Sequence, residues 1–232
     1  MEIRRVVAGE FFTNCYVVWG GKPGIAVLID PADDAPGLLR LLDGLGLIPE
    51  AVLLTHGHYD HILAVPGLQA RWPELPVWCH PLDVPQALTE RDMGRVYPTV
   101  AAFSNLRPLE DGQRLHLAGL SIQALHTPGH TPGSVTFLVG DALFTGDTLF
   151  RGEIGRTDFA GGDDEQMASS LARLAALEGN LRVLPGPRRT PLWSRSGKRT
   201  PGCGLPRRSE YPLHNDFKYE VNHYGDQKER SD

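Results

Sequence analysis

Seven residues close to the first quarter of the chain constrain its fold and chemistry most strongly. The segment Thr55–His61 reads THGHYDH, and it holds three of the nine histidines and a carboxylate directly after the apolar run Ala51–Leu54. Imidazoles and carboxylates are ligands of first-row metal ions. A strand end is rigid, and Gly57 permits a loop tight enough for His56 and His58 to converge. The sequence therefore predicts a metal site at a strand end rather than a polar surface loop.

Two later turns carry further candidate ligands. The segment TPGHTPG places His130 in a sharp turn between two strand-like runs, and TGDT presents Asp147 at the end of another run. Asp60 and His61 are placed to reach a point beside the one reached by the first two histidines. This spacing favours two adjacent metal ions over a single tetrahedral structural zinc.

The remaining pattern predicts a layered α/β fold. Short β-rich runs alternate with two helical periodicities and with Gly- and Pro-rich turns, which is typical of packed layers of sheet and helix. The predicted strands are Ile3–Val7, Cys15–Trp19, Ile25–Ile29, Ala51–Leu54, Val77–Cys79, Leu120–Leu125, Val135–Val139, Ala142–Phe144 and Leu181–Leu184, and the predicted helices are Leu38–Leu45, Glu165–Leu177 and the start of one over Leu82–Leu88.

The order of these motifs resembles a known family. HxHxDH, TPGHTPGS and TGDTLF, in this order, are similar to the metallo-β-lactamase superfamily, and GEIGRTDFAGG resembles its glyoxalase II-like branch, the hydroxyacylglutathione hydrolases. The resemblance covers residues 1–186. It implies a four-layer αβ/βα sandwich with the metal ions between the edges of two sheets.

The resemblance also implies the role of each candidate ligand. The metal would be zinc, as one or two ions, with iron or manganese as alternatives. Asp60 would orient the attacking water as well as bind metal. The first metal would be held by His56, His58 and His130, the second would take Asp60 and His61, and Asp147 would bridge the two.

The same resemblance predicts a hydrolase acting on a small-molecule thioester, with glutathione as the candidate thiol. No GxSxG segment or recognised cysteine motif supplies a protein nucleophile, so metal-bound water is the expected attacking group. A thioester suits such a site because its thiolate leaves readily. Three alternatives stay open: an iron-dependent persulfide dioxygenase of the same branch, a lactonase, and a metal-binding pseudoenzyme.

Charge and cysteine content limit the expected binding partners and the cellular location. The net charge of -5 gives no general attraction to nucleic acid or to an anionic membrane. The three scattered cysteines form neither a disulfide framework nor a cysteine-rich zinc site. Neither a signal peptide nor an apolar run long enough to span a membrane is recognised, so the cytoplasm is the expected location.

The last part of the chain departs from the family pattern. The resemblance implies a histidine within a Pro-Gly-His-Gly segment after the last strand, but this chain has Pro187 after Gly186. Residues 1–186 carry 13 basic and 22 acidic side chains, whereas residues 187–232 carry 10 and 6. We therefore predict a domain over 1–186 and an aberrant, poorly ordered tail over 187–232. The C-terminal helical region that holds glutathione in glyoxalase II has no convincing counterpart in this tail.

Two shifts of reading frame would explain this change. Read one base later, the codons of Gly186–Thr190 can encode Gly-His-Gly-Gly-Pro, and read two bases later, those after them can encode a run containing Glu-Arg and Asn-Pro. The hypothesis is that two small insertions or deletions lie close to Gly186. Resequencing codons 184–205 tests it, and a confirmed, unbroken frame encoding Pro187 would make the tail genuine.

Overall fold

The computed structural model describes residues 1–84, 101–158 and 160–186, together with the backbone of a short strand at 218–219. The tail predicted over 187–232 lies outside the described residues apart from that strand. Most of the helix predicted over Leu82–Leu88 also lies outside them. Within the described part, each predicted strand overlaps an observed one.

The first sheet contains the strands of the first half of the chain. They lie side by side in chain order, antiparallel across the first three strands and parallel from the third onward. Parallel strands end at the same edge, so the loops after the third, fourth and fifth strands are neighbours. The strands are β1 (Glu2–Ala8), β2 (Thr13–Trp19), β3 (Ile25–Ile29), β4 (Ile48–Leu53), β5 (Val77–Cys79) and β6 (Leu106–Pro108).

The second sheet is formed by later strands in the order β14-β13-β10-β9-β8-β7. Its centre is an antiparallel meander, against which β13 pairs in parallel with β10. A small hairpin of β11 and β12 stands apart. The bounds are β7 (Arg114–Leu117), β8 (Leu120–His126), β9 (Val135–Val139), β10 (Ala142–Gly146), β11 (Leu149–Phe150), β12 (Glu153–Ile154), β13 (Arg182–Pro185) and β14 (Lys218–Tyr219).

Three α-helices and one short 3-10 helix are described. The α-helices are α1 (Ala35–Leu45), α2 (Val65–Arg71) and α3 (Asp164–Ala175), and the 3-10 helix spans Tyr59–His61. Aspartates cap the two longer helices: Asp34 accepts a hydrogen bond from the Gly37 N–H, and Asp163 accepts one from the Gln166 N–H.

The sequence reading did not predict α2. Its first turn contains Pro66 and Gly67, two residues that usually mark a break. Proline is nevertheless accepted in the first turn of a helix, where its missing N–H costs no hydrogen bond. A Cβ on Gly67 would clash with Ala35, so this glycine lets α2 approach α1 closely.

Strand alternation separates the interior into three apolar layers. On β2, Tyr16 and Val18 face the second sheet, whereas Cys15 and Val17 face α1 and α2. The outer face of the second sheet packs against Met167 and other residues of α3. The layers therefore run helix, sheet, sheet, helix, and the predicted four-layer αβ/βα sandwich is observed. Within the described ranges, no helix combines the length and hydropathy needed to cross a membrane.

The central layer should carry a large share of the stability. Phe137 on β9 is fully buried between the sheets. Truncation of a buried phenylalanine removes apolar contacts and leaves a cavity, so Phe137→Ala should lower the free energy of unfolding by about 3–5 kcal/mol. Urea unfolding of the metal-free protein measures this change in the free energy of unfolding. The matched variant Ile48→Ala, at a side chain 53% exposed, should change little; equal losses at both positions would contradict the layer assignment.

Candidate metal centre

The candidate ligands lie at one edge of the sandwich, where the two sheets meet. The Val135 N–H donates to the Thr55 carbonyl across the sheets at 2.8 Å. The Gly186 N–H donates to the Gly146 carbonyl at 2.8 Å, and the Gly186 carbonyl accepts from the Asn14 N–H at 3.2 Å. These hydrogen bonds bring the loops after β4, β8, β10 and β13 to a common point.

Three imidazoles form the first group of potential ligands. His56, His58 and His130 each offer a nitrogen, and these nitrogens lie within 4.8 Å of one another. His130 Nε2 is 2.9 Å from His58 Nδ1. His56 and His130 are 1% and 3% exposed, so the group is enclosed by protein on most sides.

A second group shares one residue with the first. His56, His61 and Asp147 also place one ligand atom each within 4.8 Å of the others. His61 Nε2 is 3.2 Å from Asp147 Oδ1, while Asp147 Oδ2 is 3.6 Å from His130 Nε2. One oxygen of this carboxylate therefore faces each group, which is the arrangement expected of a bridging ligand.

Asp60 lies at the margin of the second group. Its Oδ2 is 3.7 Å from His61 Nε2 and accepts a hydrogen bond of 2.9 Å from Thr13 Oγ1. Burial raises the pKa of Asp60; His61 acts in the opposite direction, and the nearby Asp147 carboxylate adds to the rise. Of the six residues singled out from the sequence, five fall into the two groups, and Asp60 stands beside them.

The outer hydrogen bonds determine which nitrogens face the centre. His130 Nδ1 is 2.7 Å from the Arg156 carbonyl, which can only accept, so Nδ1 carries the proton and Nε2 is left for a ligand. His61 Nδ1 lies 2.9 Å from Asp30 Oδ2 and is oriented in the same way. His56 Nδ1 lies 3.1 Å from Thr55 Oγ1, whose own proton goes to Asp30. Three Nε2 atoms therefore point to the centre.

The electrostatics of the site follow from burial and crowding. Burial lowers the pKa of His56, and the neighbouring imidazoles lower it further, which keeps this ring neutral. Burial opposes charge on His61, but the carboxylates of Asp60, Asp30 and Asp147 outweigh it and raise its pKa. Burial would raise the pKa of Asp147, and the histidines reverse this and lower it. A neutral imidazole and an ionised carboxylate are the forms that bind metal. His56 and Asp147 are therefore shifted toward the binding form, whereas His61 has to release its proton when a cation binds.

Three buried atoms that could bind a metal ion indicate that the residues present fit one. Among the described residues, His56 Nε2, His61 Nε2 and Asp147 Oδ1 are buried and make no well-directed hydrogen bond, although His61 Nε2 and Asp147 Oδ1 lie 3.2 Å apart. Buried polar atoms normally have partners because leaving them unpaired is costly. Nitrogen and carboxylate donors together suit zinc, iron or manganese. The residues present thus fit a divalent metal centre.

Sequence reasoning missed two buried carboxylates that support the ligand loops. Asp30, directly after β3, adopts a left-handed φ of 48° and accepts hydrogen bonds from the Thr55 N–H at 2.7 Å and Thr55 Oγ1 at 2.6 Å. Asp83, after β5, contacts the turns on both sides of the centre. The only signal for Asp30 was an Asp-Pro pair at a strand end, and Asp83 gave none.

The other histidines lie outside the two groups. His80 and His126 stack on each other with ring centroids 4.3 Å apart, and His116 is exposed on β7. His214 and His223 lie outside the described residues. Near the site, Arg156 forms an exposed ion pair of 2.8 Å with Asp158.

Known proteins support this assignment of the fold. The chain is 41% identical over 205 residues to an uncharacterized protein of Mycobacterium tuberculosis strain H37Rv, covering 80% of this chain and 90% of that protein. A hydroxyacylglutathione hydrolase of Xylella fastidiosa strain M12 is 41% identical over 177 residues, covering 75% of this chain. That match spans only 60% of the hydrolase.

Solved structures with the same fold include a metal-bound one. TTHA1623, crystallised in a di-iron-bound form, is 42% identical with a TM-score of 0.70, covering 80% of this chain and 92% of that one. ETHE1 from Myxococcus xanthus is 30% identical with a TM-score of 0.67, covering 82% of this chain and 77% of that one.

The Metallo-beta-lactamase superfamily matches residues 8–186, which are nearly all of the described structure. With a four-layer fold and two adjoining groups of buried histidine and aspartate at its edge, the chain belongs to the metallo-beta-lactamase superfamily of metal-dependent hydrolases.

Proposed function

We propose that the protein hydrolyses thioesters in the manner of a hydroxyacylglutathione hydrolase. The observation that carries this is the pair of ligand groups sharing His56, with one oxygen of Asp147 directed at each group. The identity to the Xylella fastidiosa hydrolase supports the reaction class. The GRTDF segment, whose Arg156 carbonyl orients His130, supports the same branch.

His56, His58 and His130 would hold one divalent metal, and His61, Asp60 and Asp147 would contribute to a second. A metal bound there would lower the pKa of water and polarise the carbonyl of the substrate. Zinc is the proposed metal, and iron is favoured as the alternative by the di-iron form of TTHA1623.

Asp60 is the proposed residue for handling the proton of the attacking water. Thr13 Oγ1 donates to its Oδ2 at 2.9 Å and holds the carboxylate in place. The Asp60 side chain is 19% exposed and that of Asp147 is 15% exposed, whereas that of His61 is fully buried. Asp147 faces both ligand groups, which leaves Asp60, beside the second group, as the carboxylate proposed to take the proton.

The leaving group fits a site without a dedicated acid. A thiolate leaves as the conjugate base of a thiol whose pKa is about 8.5, so its departure requires little proton donation. The two alternative enzyme functions make other demands on the site. A lactonase would have to protonate an alkoxide, which is a poorer leaving group than a thiolate. A persulfide dioxygenase would require iron and oxygen.

The glutathione portion and the cellular setting are the more specific parts of the proposal. The match to the hydrolase ends at 60% of its length, so the thiol carrier is inferred from the reaction class alone. Cys15 and Cys79 are buried, unpaired thiols whose pKa is raised by burial. This cysteine usage is compatible with the proposed cytoplasmic location.

Hydrolysis of S-lactoylglutathione by the zinc-loaded protein tests the proposal. The His130→Ala variant should lose activity at least about a hundredfold, because it removes a ligand of the first group. The matched His116→Ala variant, at an exposed position on β7, should retain it. Chelation should abolish turnover, and zinc should restore it.

Three outcomes would contradict the thioesterase. Oxygen consumption with glutathione persulfide by the iron-loaded protein, without thioester cleavage, would assign a dioxygenase. Faster turnover of a lactone would assign a lactonase. Stoichiometric metal binding with turnover of none of these substrates would assign a pseudoenzyme.

The second metal should bind more weakly than the first. A Cβ on Gly186 would clash with Asp147 Oδ1, so the chain passes beside the second group at this residue. The next residue is Pro187, which has no ligand atom. The Pro187→His variant should therefore lower the dissociation constant of the second metal by at least about tenfold, which equals about 1.4 kcal/mol.

Calorimetric titration with zinc measures both dissociation constants in the two proteins. The Pro187→Ala variant is the control, because it removes the proline without adding a ligand. Two equally tight sites in the unaltered protein would contradict the claim that the second site is impaired.

A further inference from the structure

Asp83 joins the two turns that carry the first group of histidines. Its Oδ2 accepts a hydrogen bond from the Gly57 N–H at 2.9 Å and another from Thr131 Oγ1 at 2.7 Å. Gly57 lies between His56 and His58, and Thr131 directly follows His130. A single carboxylate oxygen therefore connects the two ligand-bearing turns.

The second oxygen of Asp83 strengthens the connection. Oδ1 accepts the Gly133 N–H at 2.7 Å, two residues beyond Thr131 in the same turn. A Cβ on Gly133 would lie 2.5 Å from Oδ1, so glycine is needed for this approach. Asp83 itself is 1% exposed, and both of its oxygens are occupied by donors from these two turns.

The identity of these partners distinguishes Asp83 from an ordinary buried carboxylate. None of the three donors belongs to its own loop, and the turns come from different sheets, after β4 and after β8. A buried carboxylate with three hydrogen bonds is held in one orientation, and it holds its donors in turn. The link thus sets the separation between His58 and His130, whose nearest nitrogens are 2.9 Å apart.

We propose that Asp83 is a positioning residue that preassembles the first metal group by tying the His56–His58 turn to the His130 turn. The inference rests on the metal centre proposed above. It assigns Asp83 no contact with substrate or metal. Its effect is on metal affinity and on the geometry of the bound ion.

Cobalt(II) titration of the full-length protein, followed by visible absorption, tests this role. Asp83→Asn replaces one acceptor oxygen by an NH2 group that meets an N–H or O–H donor. Supporting residues around metal ligands typically contribute 10–100-fold to affinity. The variant should therefore raise the dissociation constant of the first cobalt ion by at least about tenfold and alter its d–d absorption bands.

A smaller change and a stability control separate positioning from general destabilisation. Thr131→Val removes one of the three hydrogen bonds and should weaken cobalt binding by a smaller factor. Leu42→Ala, in the helix layer away from the centre, should destabilise the metal-free protein in urea while leaving cobalt affinity and spectrum unchanged.

The outcomes separate the two proposals. If the unaltered protein does not bind cobalt, the metal centre itself fails. If it binds cobalt and Asp83→Asn and Thr131→Val both match its affinity and spectrum, the positioning role is wrong. Should Asp83→Asn not fold, Thr131→Val decides alone: an unchanged dissociation constant overturns the inference.

Discussion

The site depends on the meeting of two sheets at one edge. The carbonyl of Thr55, after the first sheet's β4, accepts a hydrogen bond from Val135, at the start of the second sheet's β9. The first sheet supplies His56, His58 and His61 and the second supplies His130, so the first group of three histidines is complete only where the two sheets meet. The apolar layer between the sheets packs them against each other and so holds this edge together.

Two buried carboxylates hold the ligand-bearing turns in fixed orientations. Asp30 accepts hydrogen bonds from Thr55 and His61 on the side of the second group, and Asp83 connects the turns of the first group. The Asp30 contact holds a proton on His61 Nδ1 and turns Nε2 to the centre, where His56 Nε2 is buried without a hydrogen-bond partner among the described residues. Leaving such atoms without partners is costly, and a bound cation offsets that cost.

The sequence predicts features that lie within one short segment better than contacts between segments far apart in the chain. The ligand types and the strand-then-loop context of THGHYDH are local, so the metal site and the layered fold were predictable. On β2, the residues of both faces are apolar: Cys15 and Val17 on one, Tyr16 and Val18 on the other. The sequence pattern therefore could not show which face packs against the helices and which against the second sheet. Asp83 becomes recognisable only when distant turns are brought together. The helix α2 was missed because Pro66 and Gly67 act through their position in a first turn and their contact with Ala35.

The proposed metal centre requires His56, His58 and His130 to share one ion. Anomalous diffraction from crystals of the zinc-loaded protein, collected on both sides of the zinc absorption edge, locates each bound ion. The strongest anomalous peak is expected within bonding distance of all three imidazoles, with a weaker peak beside His61 and Asp147. A zinc peak elsewhere, or imidazoles of 56, 58 and 130 directed to separate points, would contradict it.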